Sequence, residues 1–262
     1  MTPSSVLVLF VSGWGADTPS LFHLAATYPL TMLQAPAEGG LSAVYTQAGL
    51  VAGKPLAALL AQKHMADIRI ADPDRFGLLT QSFDGGSRFD QPLRRDIYTS
   101  FPPGMTMADA YESSLSLQKK QVLSAINEPK SQVVFASFSL SWSLSLLRDA
   151  TLTRQAVESV SNVIEQIVES ALEAGIPTLI CSDTASLAGV GVTQTLLPCV
   201  LVHERVEGLR GTGADRADSR ELPRQASGRL DQLAATVAAL IGELPVDAAK
   251  PLFASLLKRL RV

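Results

Sequence analysis

The stretch from Gln155 to Gly189 constrains this chain more than any other, because it prescribes a long helix, a stop, a buried strand and a polar loop in that order. Ala156, Val157, Val160, Val163, Ile164, Ile167, Val168, Ala171 and Leu172 recur at spacings of three and four, which is the period of one buried helix face. Gly175 follows the last periodic residue and Pro177 cannot extend the helix, so the helix ends near Ala174. Thr178-Leu179-Ile180-Cys181 is then free to run as a strand, and Ser182-Asp183-Thr184-Ala185-Ser186 follows as a loop. A helix feeding a short buried strand is the repeating unit of an α/β sheet. In such sheets ligands sit at the carboxyl ends of the strands, which directs attention to Asp183.

Other segments repeat the pattern. Val6-Leu7-Val8-Leu9-Phe10-Val11 is a continuous apolar run, as expected of a strand buried on both faces of a parallel sheet. Asp67–Ala71 and Gln132–Ser137 read as further strands, and Leu197–Val202 as another. Ser20–Tyr28, Lys54–Met65 and Ala108–Ile126 carry helical spacing. The expectation is one α/β domain over residues 1–262, with a three-layer architecture: a mostly parallel sheet covered by helices on both faces. Residues 203–224 are rich in Arg, Asp and Gly and read as a mobile surface loop. Arg205, Arg210, Arg216 and Arg220 would collect an anion only if that loop folded over.

Charge and cysteine usage narrow the functional classes. Charged residues make up 18% of the chain, below the roughly 25% of an average soluble protein. The net charge of −3 gives no basic footprint for nucleic acid or an anionic membrane. Cys181 and Cys199 lie in apolar runs, where a free Cys behaves as a small hydrophobe, and a reducing, cytoplasmic compartment is expected. No apolar run approaches the ~20 residues needed to span a bilayer, and the first residues lack the basic region of a signal peptide.

Several short motifs recur in one order. Ser12-Gly13-Trp14-Gly15 ends the first strand, Phe83-Asp84-Gly85-Gly86 follows the strand Asp67–Ala71, and Pro102-Pro103-Gly104-Met105-Thr106 precedes a helix. Glu173-Ala174-Gly175 then leads through a strand to Asp183. Together these resemble the phosphatase half of cofactor-independent phosphoglycerate mutases, members of the alkaline phosphatase superfamily, without the large phosphotransferase insertion of that family. The resemblance implies an alkaline-phosphatase-like fold with a two-metal pocket. It also implies which positions should carry the ligands. The motif Asp residues fall at Ser12, Trp142 and Asp183, and the motif His residues at Leu146, Thr184 and Val192. Only Asp183 keeps the ligand type.

A neutral hydroxyl or an apolar side chain is a poor ligand for a hard divalent cation. Trp142 and Leu146 are better read as packing residues, and His23, His64 and His203 share no metal-ligand spacing. Ser42, the one Ser near the resembled nucleophile region, reads as an ordinary loop residue with no base or metal to activate it. The pocket at Ser12, Trp142, Leu146, Asp183, Thr184 and Val192 is therefore expected to be vestigial, with no catalytic residue and no metal. Without metal, Asp183 is expected to accept hydrogen bonds from Ser12, Thr184 or a helix start.

The function implied is that of a catalytically inactive relative serving as a binding or scaffolding protein, without a cofactor. The alternative is a Mn- or Mg-dependent phosphomutase or phosphatase with a rearranged site. The C-terminal segment 249–262 reads as an amphipathic helix, with Leu252, Phe253, Leu256, Leu257 and Leu260 on one side and Lys258, Arg259 and Arg261 basic. Docking on its own core competes there with a partner surface, and a protein partner or self-association through this segment is expected.

Overall fold

The computed structural model describes residues 5–14, 18–86, 91–100, 104–128, 132–139, 149–183, 196–209 and 225–260. Its centre is an eight-stranded sheet in the order β10-β2-β9-β8-β1-β7-β5-β6. The strands are β1 (Ser5–Val11), β2 (Leu30–Gln34), β5 (Ala66–Ala71), β6 (Arg94–Tyr98), β7 (Gln132–Phe138), β8 (Thr178–Ser182), β9 (Leu196–Val202) and β10 (Gly228–Arg229). A separate ribbon pairs β3 (Leu50–Val51) with β4 (Lys54–Pro55). In the main sheet only the pairings of β9, with β8 and with β2, are antiparallel; all other pairings are parallel.

The continuous apolar run of β1 is explained by its place in the middle. Its side chains alternate between two separate cores, Val6, Val8 and Phe10 facing one and Leu7, Leu9 and Val11 the other. The first core is closed by α2 (Gly40–Gly49), α3 (Leu56–Gln62), α7 (Asp231–Leu240) and α8 (Ala254–Leu260). The second is closed by α1 (Pro19–Thr27), α5 (Met107–Ile126) and α6 (Ala150–Glu173). This is the three-layer α/β architecture the sequence implies, and α4 (Pro73–Thr80) follows β5 at its carboxyl end.

Several boundaries differ from the sequence reading for identifiable reasons. The helix α6 begins at Ala150, six residues before the first residue of its apolar period, because the Asp149 side chain accepts hydrogen bonds from the N–H groups of Thr151 and Leu152. Its end agrees with expectation: Gly175 takes φ +65°. The expected helix from Lys54 loses its first two residues to the β3–β4 ribbon, and it stops at Gln62 before His64 at φ 53°. Ser42 is not a loop residue. It sits exposed in the first turn of α2, where its hydroxyl meets that of Ser82 at 3.0 Å.

The expected loop at 203–224 also starts differently. His203 caps a 3₁₀ turn, Glu204–Val206, through its Nδ1, and Val206 is fully buried. Residues 210–224, with Arg210, Arg216 and Arg220, lie outside the described residues. At the other end, Leu252, Phe253, Leu257 and Leu260 are buried in the first core, and the Leu252 N–H donates to Thr236 Oγ1 at 2.8 Å. The apolar side of the C-terminal helix is thus occupied by the protein's own core.

The Phe83-Asp84-Gly85-Gly86 motif has a structural task. Asp84, in the 3₁₀ turn Ser82–Asp84, accepts from Arg69 Nη2 at 2.7 Å and from Arg94 Nη1 at 2.7 Å. Arg69 is fully buried, is also held by Asp67, and lies 5.2 Å from the Phe83 ring centre. A buried charge of this kind persists only because every donor finds a partner. The network locks β5, β6 and the turn together. No described helix is long and apolar enough to cross a membrane.

Candidate functional site

Four neighbouring parallel strands, β8, β1, β7 and β5, end on the same side of the sheet. The residues that follow their tips are Asp183, Ser12, Ser139 and Asp72. The β1–β8 register pairs Val11 with Ser182, so Ser12 and Asp183 emerge side by side. Both are buried, at 0% and 2% exposure. The position is anchored by the Ser12 N–H donating to Phe138 O at 2.9 Å and the Ser182 hydroxyl donating to Val11 O at 3.3 Å.

Ser12 and Asp183 do not bond to each other; Arg75 joins them. Its Nε and Nη2 donate to Ser12 Oγ at 3.2 and 2.8 Å, and Nε lies 3.2 Å from Asp183 Oδ2. Arg75 is placed there by the start of α4. The Asp72 side chain accepts from the N–H groups of Asp74 and Arg75, each at 3.1 Å, and Pro73 opens the helix. The other Asp72 oxygen accepts from the Ser139 N–H at 3.1 Å, which ties the tip of β7 to the same cap.

On the other side Tyr45, from α2, donates its hydroxyl to Asp183 Oδ2 at 2.9 Å and shares a 2.6 Å contact with the Ser137 hydroxyl. Asp183 Oδ1 is buried and has no hydrogen-bond partner among the described residues. Of the donors expected at Asp183, Ser12 is corrected, since its Oγ accepts from Arg75; among the described residues Asp183 is met by Tyr45 and by Arg75 from the first turn of α4. Trp142, Leu146, Thr184 and Val192 lie outside the described residues.

The electrostatics follow from burial. Desolvation works against the Arg75 cation, but Asp183, Tyr45, Asp72 and Asp74 outweigh it and hold its pKa above the ordinary value. Burial pushes the Asp72 carboxyl up to about 6, against the pull of Arg75. Burial and then the Asp183 charge drive the Tyr45 phenol well above its usual range, so it is a hydrogen-bond donor and not a base. Deeper in the sheet Cys181 faces Cys199 across the β8–β9 pair. Both thiols are buried and free, and the contact with Cys199, together with burial, raises the Cys181 pKa. His203 is buried at its cap and burial lowers its pKa, while exposed His23 meets Glu165 at 3.2 Å.

The metals implied by the resemblance can be tested against these side chains. Ser12 Oγ already accepts two guanidinium N–H groups, and Asp183 Oδ2 is shared between Arg75 and Tyr45. Among the described residues no group of three or more His, Cys, Asp and Glu side chains is placed to hold a metal ion. By residue type, Trp142, Leu146 and Val192 offer no oxygen or nitrogen suited to Mn or Mg. Among the described residues, the donor set at the tips of β1 and β8 does not fit a two-metal centre.

Arg75, Tyr45, Asp72, Ser137 and Ser139 were not singled out by sequence reasoning. One signal was present: Asp72-Pro73 after the strand Asp67–Ala71 marks a helix start at a strand tip. Nothing local marks Tyr45, which reaches the site from a helix remote in sequence.

No family model matches the chain, and no curated protein matches it. Solved structures do. A protein of the alkaline phosphatase superfamily from Vibrio parahaemolyticus is 14% identical with a TM-score of 0.60, covering 91% of this chain and 66% of its own. The phosphoglycerate mutase of Leishmania mexicana is 15% identical with a TM-score of 0.57 over 75% of this chain, which spans only 38% of the mutase. TAB5 alkaline phosphatase, as a variant with bound Mg, is 10% identical with a TM-score of 0.56, covering 92% of this chain and 99% of its own. At these identities the likeness is one of architecture, and the architecture is that of an alkaline-phosphatase-like α/β domain.

Proposed function

We propose that this chain is a catalytically inactive relative of the cofactor-independent phosphoglycerate mutases that acts as a binding or scaffolding protein. The observation that supports this is the bridge from Arg75 to Ser12 and Asp183 at the tips of β1 and β8. Hydrolysis of a phosphomonoester by the resembled route needs carboxylates and imidazoles to hold metal ions and lower the pKa of a nucleophile. Here a hydroxyl and one carboxylate face a guanidinium, and the phenol beside them is held protonated. Ser42 lies on an exposed helix turn, and among the described residues its hydroxyl meets another hydroxyl, that of Ser82, rather than a base.

The test is hydrolysis of p-nitrophenyl phosphate by the purified full chain, with and without added Mn. The expected rate equals that of buffer. Saturable, Mn-dependent hydrolysis that disappears in Asp183→Asn, with the fold retained, would establish the alternative of a metal-dependent phosphatase or phosphomutase and end this reading.

A further inference from the structure

We infer that the Arg75 guanidinium is a resident cation: it takes the place of metal charge at the tips of β1 and β8, and its removal leaves a pocket that accepts a free guanidinium ion. This rests on the reading of the site as metal-free and says what fills it instead. Three observations carry it. Arg75 is 6% exposed and its Nε and Nη2 converge on the Ser12 hydroxyl while Nε faces Asp183. Its backbone is fixed by the Asp72 cap, so the side chain is delivered from the first turn of α4 rather than from a wandering loop. Asp183, with a fully buried side chain, still has one oxygen, Oδ1, without a partner among the described residues.

The physical argument is one of compensation. A buried carboxylate stays charged only beside a cation or a set of donors, and losing the partner of a buried pair costs far more than the pair contributes. Among the described residues, Tyr45 donates one hydrogen bond to Asp183 and the positive charge beside it comes from Arg75. Truncating Arg75 leaves Ser12 Oγ and Asp183 Oδ2 facing a vacated, polar space in which the charges of Asp72 and Asp74 still favour a cation. A free guanidinium ion is planar and presents the same paired N–H groups as the lost side chain. Untethered, it is also able to engage both oxygens of Asp183. A Na ion or an alkylammonium lacks that planar fork.

The experiment is thermal unfolding of the full chain, wild type and Arg75→Ala, with guanidinium chloride, ethylammonium chloride or MnCl2 at low millimolar concentrations. Arg75→Ala is expected to lower Tm by about 10 °C, and guanidinium is expected to restore a saturable part of that loss. Ethylammonium should not, and the wild type should gain nothing from Mn. A wild-type Tm that rises saturably with Mn, an Arg75→Ala variant as stable as the wild type, or a folded variant indifferent to guanidinium would each overturn the inference.

Should Arg75→Ala fail to fold, a double-mutant cycle with Arg75→Met and Asp183→Asn decides. If Arg75 compensates Asp183, the double variant melts higher than Arg75→Met alone. Strictly additive losses overturn the inference. Phosphatase activity in the wild type would sink the proposed function by a separate measurement, whereas an additive cycle would sink only the role of Arg75.

Discussion

At the residue scale, the site divides into positions that sequence reading found and partners that it did not. Ser12 and Asp183 were legible because each ends an apolar strand and each falls in a short motif. Arg75 and Tyr45 were not, because the contact is made across the fold: 63 residues separate Arg75 from Ser12, and 138 separate Tyr45 from Asp183. Asp72 belongs to the same group and carries a testable consequence. Burial raises its folded pKa from 3.8 to about 6. A carboxyl with a raised folded pKa holds its proton longer in the native state than in the unfolded chain. Its contribution is therefore fully present below about pH 4 and is lost as the pH climbs through about 6. The span corresponds to roughly 3 kcal/mol. Asp72→Asn keeps an N-cap of equal quality but cannot titrate. Urea midpoints compared at pH 4 and pH 7 should show a smaller decline with pH in the variant than in the wild type. The other raised carboxyls, Asp67 and Asp74, are common to both proteins and cancel in the comparison. Parallel slopes would show that Asp72 is ionised throughout.

At the element scale, the pattern of apolar residues located β1, β5, β7, β8 and β9 and helices α1, α3, α5 and α6 but not β2, β6, α2 or α4, and the ends were set by caps and contacts that periodicity does not encode. Helix α6 shows both: its face was read from Ala156 to Leu172, but its first turn depends on Asp149, outside the apolar pattern. The antiparallel run of β9 was likewise invisible, since Leu197–Val202 is apolar throughout and strand direction is decided by where the chain re-enters the sheet. Two glycines separate local from long-range demands. Gly175 has φ +65° with open space where a Cβ would stand, so Gly175→Ala is expected to cost only the left-handed penalty, about 1 kcal/mol. Gly49 closes α2, and a Cβ there would lie 1.9 Å from the carbonyl oxygen of Phe83. Gly49→Ala must push α2 away from the turn that holds Asp84, at about 3 kcal/mol or more. Equilibrium urea unfolding of the two variants measures the difference. Equal losses would mean that α2 and the Phe83 turn move apart freely.

For the whole molecule, the three-layer α/β architecture was legible in the order of elements and its alkaline-phosphatase-like character only in the resemblance of short motifs, and the part most open to misreading was the C-terminal helix. An amphipathic pattern reports that one face is buried without saying against what. Here Leu252, Phe253, Leu257 and Leu260 close the first core beside α7, so removing residues after Ala248 strips four buried side chains. At about 1.5–3 kcal/mol each, as an upper bound, the loss is about 6–12 kcal/mol. That is comparable to the entire stability of a typical domain, roughly 5–15 kcal/mol. The truncated chain is expected to unfold, and loss of association in such a variant would say nothing about a partner surface. A scaffolding role for this helix must use the side that remains outside, where Ser255, Lys258 and Arg259 are exposed. The informative variant is Lys258→Glu with Arg259→Glu, which reverses the charge while leaving every buried leucine in place. Exposed substitutions of this kind should change stability by no more than about 0.5 kcal/mol. If the helix binds a partner or a second copy through its basic side, sedimentation should show an associating wild type and a folded, monomeric double variant. Association unchanged by the reversal would move the contact surface off this helix altogether.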